Sequence, residues 1–314
     1  MLHFRIPNKS IVSLKGHFEN VSALADDGFY VSDFEANKVY RFVESDAPEV
    51  LHFSDEKPLI IPHEDYIKQG NLLVQTIRNL GLQKTVLSRI KEVDFNESNT
   101  LELFYSLEKA YPNAFVYLFS DEKLGTWMGA TPEILFRQVG QHGFTISLAG
   151  TKKIDEQSAW NAKEKNEQAY VTNFIQQALE EAEVNSLDIQ GPYTYEAGPV
   201  KHLRTDFSFD CHHLSAEKLI FTLHPTPAVS GLPQNLSLEV IRQIEPHDRS
   251  FYAGFIGCHE AHNTQFFVNL RCCQVQKGKL YLYVGGGYTA DSNPEDEWQE
   301  TENKSRTILN WVVD

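Results

Sequence analysis

Residues 284–304 read VGGGYTADSNPEDEWQETENK. The glycine triplet Gly285, Gly286 and Gly287 is expected to lead through a turn into a helix, with Ser292 suited to N-capping and Pro294 to the first turn. On that helix Glu297 and Glu300 lie three residues apart and Lys304 falls four beyond Glu300, so all three share one face. A close backbone approach followed by paired carboxylates suits a site that binds an anionic small molecule through a hard metal ion. In a chain with 43 acidic residues the same pattern also describes a solvated face with an ordinary Glu300–Lys304 ion pair. The remaining motifs decide between the two.

The chain has 314 residues, 41% of them hydrophobic and 12% aromatic, which is ample for a core. Its net charge of −15 argues against nucleic acid or an anionic membrane surface as a partner, because both need basic surface. An anionic substrate would therefore require a local cation. No apolar run approaches the roughly 20 residues of a membrane span, and MLHFRIPNKS lacks the apolar centre of a secretory signal, so a cytoplasmic location is expected. Cys211, Cys258, Cys272 and Cys273 contain no C-x-x-C pair and read as reduced, mostly core thiols. In a strand, Cys272 and Cys273 would face opposite ways.

Residues 1–60 read as strands and loops without an interpretable motif. The spacing of Ile67, Leu72, Leu73 and Ile77 predicts a helix over 65–79 ending near Gly81, followed by a strand over 85–90. A helix is expected over 96–111 and strands over 114–119, 134–137 and 144–148, the last closing at Ala149-Gly150-Thr151. WMGATPE reads as a polar, small-residue corner between strands. Residues 162–182 predict a helix with Ala169, Phe174, Ile175 and Leu179 as its apolar stripe, and its first turns carry a second E-x-x-E, Glu164 and Glu167. Beyond it come a strand-rich 193–209, helices near 215–223 and 236–244, and apolar strands over 266–275 and 280–284. No repeat or linker interrupts the chain, which favours one α+β domain in which 1–60 is an N-terminal part and 61–314 carries the site.

Three other patterns carry no chemistry. CHEAH at 258–262 has its histidines three apart, where a zinc protease needs four. Cys211-His212-His213 would diverge on a strand and reads as an exposed polar corner. The glycine triplet follows a strand, but no βαβ unit surrounds it, so it is not a dinucleotide turn.

Taken together, QKTVLSR, GATPEILF, LAGT, KEKNEQ, LHPTPAVSGLP, RSFYAGFIG, FFVNLR and the opening run, in this order, resemble the chorismate-utilising enzymes. That family includes anthranilate synthase component I, aminodeoxychorismate synthase, isochorismate synthase and salicylate synthase. The resemblance runs from about residue 65 to the C-terminus. It implies one α+β chorismate-binding domain of two large, mainly antiparallel sheets with outer helices, and an active site between the halves.

The resemblance also implies roles. Glu167 and Glu300 look like Mg²⁺ ligands, with Glu164 and Glu297 close behind. Lys304 and the Gly150-Thr151 backbone would hold the ring carboxylate, and Arg271, Tyr252 and the Gly285–Gly287 amides the enolpyruvyl carboxylate. His224, in LHPTPAVSGLP, joins the substrate-binding set. Lys84 matches the lysine that activates water in isochorismate and salicylate synthases, and Ala149 stands where aminodeoxychorismate synthases have a nucleophilic lysine. Glu133, in GATPEIL, would protonate the departing hydroxyl. A base and an acid on one ring need proton affinities pushed from their ordinary order, which apolar enclosure supplies.

Gln168, Gly286 and Ser230 depart from the family's usual histidine, alanine, and glycine or cysteine. The expected activity is Mg²⁺-dependent interconversion of chorismate and isochorismate by a monomer without an obligatory glutaminase subunit. The alternatives are a salicylate synthase, which goes on to eliminate pyruvate, and a silent chorismate-binding subunit. The product would feed menaquinone, siderophore or salicylate synthesis.

Overall fold

The computed structural model describes residues 1–46, 48–197, 200–261 and 263–312. In chain order the strands are β1 (Leu2–Arg5), β2 (Val12–Leu14), β3 (Gly16–Val21), β4 (Gly28–Ser32), β5 (Val39–Glu44), β6 (Lys84–Asp94), β7 (Phe115–Asp121), β8 (Gly125–Thr131) and β9 (Ile134–Val139). They continue as β10 (His142–Lys153), β11 (Asn185–Ala197), β12 (Val200–Asp210), β13 (Gly231–Leu232), β14 (Phe255–His259), β15 (Asn263–Val268), β16 (Cys272–Gln276) and β17 (Lys279–Tyr288). The helices are α1 (His63–Leu80), α2 (Thr100–Ala110), α3 (Ala162–Glu181), α4 (Ala216–Leu223), α5 (Gln234–Ile244) and α6 (Pro294–Leu309).

The strands form two sheets, in the orders β13-β6-β17-β16-β8-β7-β1-β2 and β11-β12-β10-β9-β15-β14-β4-β5-β3. All pairings among the described strands are antiparallel. Strands from residues 1–44 enter both sheets, so the N-terminal region belongs to the same architecture as the motifs.

The alternation of β7 shows why the sheets lie face to face. Phe115, Tyr117 and Phe119 turn toward the second sheet, while Val116 and Leu118 turn outward under Leu103, Phe104 and Leu107 of α2. Aromatic contacts join the layers, with Phe115 stacked on Phe267 at 4.6 Å and Phe18 against Phe119 at 5.0 Å. Cys272 faces this inter-sheet core and Cys273 the outer one, as their adjacency predicts, and all four cysteines are free thiols.

Several expectations are corrected. WMGATPE is largely strand β8 rather than a corner, because its residues pair with β7 and β16. The apolar run 266–275 is two strands in different sheets, broken at Asn269, Leu270 and Arg271, where Arg271 takes φ 51°. Ala169 is exposed, and α3 instead buries Gln168, Val171, Ile175, Ala178 and Leu179. Pairing of β10 continues through Ala149-Gly150-Thr151, with a bulge where Gly150 takes φ +67°. Asn269 fixes the crossing between sheets: its side chain accepts from Tyr117 Oη at 2.8 Å and donates to the Phe251 carbonyl at 2.9 Å.

Candidate active site

The glycine triplet is the inner end of β17, not a turn. Gly285, Gly286 and Gly287 pair with Ser88, Leu87 and Val86 of β6, while β16 stops opposite Tyr283. Among the described residues their other edge is therefore left without a strand, and it borders a cavity. The triplet is glycine because side chains already fill the space. A Cβ would lie 2.8 Å from Tyr252 Oη at 285, 3.0 Å from Glu297 Oε2 at 286 and 2.6 Å from Lys84 Cε at 287. On the open edge the Gly285 carbonyl accepts from Lys304 Nζ at 2.8 Å.

The cavity is about 780 Å³ including open solvent. Lys84 and Val86 enter from β6, Glu133 from the β8–β9 connection, Ala149 and Gly150 from the bulge, and Glu167 from α3. Tyr252, Arg271 and the triplet complete one wall, and Glu300 and Lys304 of α6 stand at the mouth. Residues scattered over more than 200 positions of sequence are thus brought together. A wider vestibule, about 2,100 Å³ including open solvent, shares Pro132, His202, Arg271, Glu300 and Lys304 with it.

Charge in the cavity is arranged in pairs. Lys84, 2% exposed, donates to Glu167 Oε1 at 2.7 Å. Lys304 contacts Glu300 Oε1 at 2.6 Å. Burial pushes the carboxyl of Glu133 up to about 7 despite the opposing pull of Lys84, Lys304 and Arg271, so it holds its proton far longer than a surface glutamate. Arg271 is half-buried; desolvation lowers its pKa, a cost that an incoming carboxylate would offset. Its Nη1 reaches the Lys304 carbonyl at 3.3 Å and Thr307 Oγ1 at 3.2 Å, which aims the guanidinium along α6.

The helix ends differ from expectation in an informative way. Asn293, not Ser292, caps α6, accepting from Glu295 N with Pro294 at the first position. Ser292 instead donates to Glu297 Oε1 at 2.9 Å and holds that buried carboxylate. Glu164 does not line the cavity. Its carboxylate closes a capping box with Asn161 and lies 3.5 Å from Lys152. Beside it, Gln168 binds Ser147 Oγ at 2.8 Å and Thr205 Oγ1 at 3.2 Å, anchoring α3 to the second sheet one residue after Glu167.

His224 is not brought into the cavity. Its Nε2 donates to the Phe34 carbonyl at 2.9 Å, its ring stands edge-on to Phe255, and burial holds its pKa near 4. The backbone of Thr151 continues β10, but its side chain lies outside the described residues, as does His262. A residue that the sequence did not announce, His202 of β12, lines the cavity instead. Its Nδ1 donates to the Gly150 carbonyl at 3.0 Å, and burial reinforced by Arg271 holds its pKa near 4. It is therefore neutral at pH 7, with Nε2 an acceptor in a wall rich in cations. A lone histidine in a strand carries no spacing signal.

The donors can be tested against Mg²⁺. Among the described residues no three of histidine, cysteine, aspartate and glutamate cluster to hold a metal. Mg²⁺ typically needs only one or two protein carboxylates and keeps its waters, so Glu167 and Glu300, which line one cavity, fit it as oxygen donors.

Glu167 of α3 and Glu300 of α6 thus share one cavity with Lys84, Glu133 and the half-buried guanidinium of Arg271. The chain belongs to the chorismate-binding enzymes, whose family pattern matches residues 34–313. It is 33% identical over 81% of its length to the isochorismate synthase DhbC of Bacillus subtilis, and 29% identical over 73% to the isochorismate synthase EntC of Escherichia coli. These matches cover 68% and 62% of the relatives, so the matched region spans about two thirds of their length. The solved structure of MenF, the menaquinone-specific isochorismate synthase from Escherichia coli, superposes with a TM-score of 0.83 at 21% identity, covering 99% of this chain and 88% of that one.

Proposed function

We propose that this chain is an isochorismate synthase that interconverts chorismate and isochorismate. The observation that carries the reading is that Lys84 and Glu133 are both buried and both line one cavity walled by Arg271, Tyr252 and the glycine triplet, with burial raising the Glu133 carboxyl to about 7.

Water adds at ring carbon 2 and gives a proton to the Lys84 amine. The double bonds shift round the ring, and the hydroxyl on carbon 4 leaves with the proton of Glu133. The base can act only when Glu167, its present partner, is engaged elsewhere. Arg271 and Tyr252 take the enolpyruvyl carboxylate, and Lys304 the ring carboxylate. Ala149, small and 7% exposed, leaves no amine to compete with water. Glu167 and Glu300 would hold Mg²⁺, with Glu297 behind them; when bound, the ion neutralises the ring carboxylate against an acidic face.

Incubation of the purified protein with chorismate and Mg²⁺, with products separated by chromatography and pyruvate followed by lactate dehydrogenase, tests the reading. A mixture of isochorismate and chorismate with little pyruvate is expected, and full turnover in excess chelator would remove the metal assignment. Pyruvate equal to the chorismate consumed would make the protein a salicylate synthase. No conversion would overturn the proposal.

A further inference from the structure

Strand β6 carries Lys84, yet its outer edge is paired with β13 over only Gly231 and Leu232. Beyond that point Val86 N finds the Ser230 carbonyl at 2.9 Å, and the next edge groups, Val86 C=O and Ser88 N–H, meet no strand among the described residues. A buried ion pair meets them. Arg249 Nη2 donates to the Val86 carbonyl at 3.0 Å, and Glu245 Oε1 accepts from Ser88 N at 2.6 Å. The two side chains bind each other at 2.6 Å and 2.8 Å, each with 3% of its side chain exposed. Arg249 Nη1 also donates to the Val229 carbonyl at 2.8 Å, and the Arg249 carbonyl receives Tyr252 N at 2.9 Å.

Val86, Val229 and Tyr252 all line the cavity, and Ser88 pairs with Gly285. We infer that Glu245 and Arg249 are positioning residues. They act as a two-residue substitute for the missing strand and set the strand bearing Lys84 at a fixed distance from the 224–230 loop and from Tyr252. A buried ion pair is weak evidence of stability, because apolar residues of similar volume commonly serve as well or better. Its geometric product here is the spacing of three cavity walls, which no apolar pair reproduces, since only the guanidinium fork and the carboxylate satisfy two carbonyls and an amide at once.

This inference rests on the proposed activity for its kinetic readout and on exchange rates for an independent one. The test compares wild type with Arg249→Lys and with the double variant Glu245→Leu/Arg249→Met, which leaves no unpaired buried charge. Measured are kcat, KM for chorismate, thermal unfolding, and amide hydrogen exchange over residues 84–90. The double variant strands the Val86 and Val229 carbonyls and the Ser88 amide, so it is expected to unfold several degrees lower, while KM stays within about threefold because Arg271 and Lys304 still hold the carboxylates. Its kcat should fall at least tenfold while exchange in 84–90 accelerates. Arg249→Lys should recover part of both losses.

Unchanged kcat in a folded double variant, or unchanged exchange over 84–90, would overturn the inference. If the double variant does not fold, Arg249→Lys decides: a fall in kcat with KM and unfolding temperature held supports the positioning role, and parallel loss of all three refutes it. If wild type does not convert chorismate, the proposed activity has failed, and the exchange rates alone judge the tether.

Discussion

At Gly287 one added carbon would sit 2.6 Å from Cε of Lys84, closer than packed atoms approach. The backbone there is ordinary strand, so alanine would not strain the chain; it would push the lysine. Gly287→Ala should therefore leave the unfolding temperature within a few degrees while kcat falls on the order of 10²-fold, the scale of an ångström's misplacement of a reacting group. Steady-state kinetics beside a melting curve checks it. Glu133 sets the pH dependence. Because burial raises its carboxyl to about 7, the proton-donating form is lost as pH rises through 7, and the proton-accepting form is lost as pH falls through it. The forward rate should drop on the alkaline side of that value and the reverse rate on the acid side. Glu133→Gln should be slow in both directions and lack that limb in each profile.

The element that most affects the site is the break between β15 and β16. Apolar alternation over 266–275 predicts one strand, since Phe266, Val268, Cys273 and Val275 all favour extended backbone. What breaks it is tertiary: Asn269, fully buried, satisfies Tyr117 Oη and the Phe251 carbonyl at the step from one sheet to the other, and Arg271 is delivered to the cavity just beyond. Asn269→Ala strands two buried polar groups at about 1–3 kcal/mol each, so urea unfolding should show a loss of several kcal/mol and a proportionate fall in active protein. The same distinction governs how much the sequence disclosed. The E-x-x-E spacing, the helix carrying Glu167 and the ordered motifs were legible, because they depend on local period and residue type. The placement of His202, the removal of His224, the use of Glu164 as a cap and the exchange of roles between Ser292 and Asn293 were not. Each depends on which distant carbonyl or carboxylate the fold brings within 3 Å.

Across the whole molecule a net charge of −15 surrounds a cavity whose cations are Lys84, Arg271 and Lys304, so binding of a dianion is set locally against the general field. The same burial that makes the cavity reactive fixes how the protein responds to acid. His202 and His224 have folded pKa values near 4 against an unfolded 6.5, so below pH 6.5 the unfolded chain binds protons that the folded one refuses. Stability from these two histidines is complete above 6.5 and is lost as pH falls toward 4. Glu133 works in the opposite sense, since its folded carboxyl accepts a proton near 7 and its unfolded one only near 4.5. One histidine roughly cancels it, and the other leaves a net loss of ~2.5 kcal/mol between pH 7 and 4.5. His224 lies outside the cavity and bonds only a backbone carbonyl, so glutamine at this position can keep that bond without titrating. Urea unfolding of His224→Gln across this range should therefore give a curve flatter than wild type by ~2.5 kcal/mol at pH 4.5. Parallel curves would show that His224 takes its proton in the folded state and that the acid sensitivity arises elsewhere.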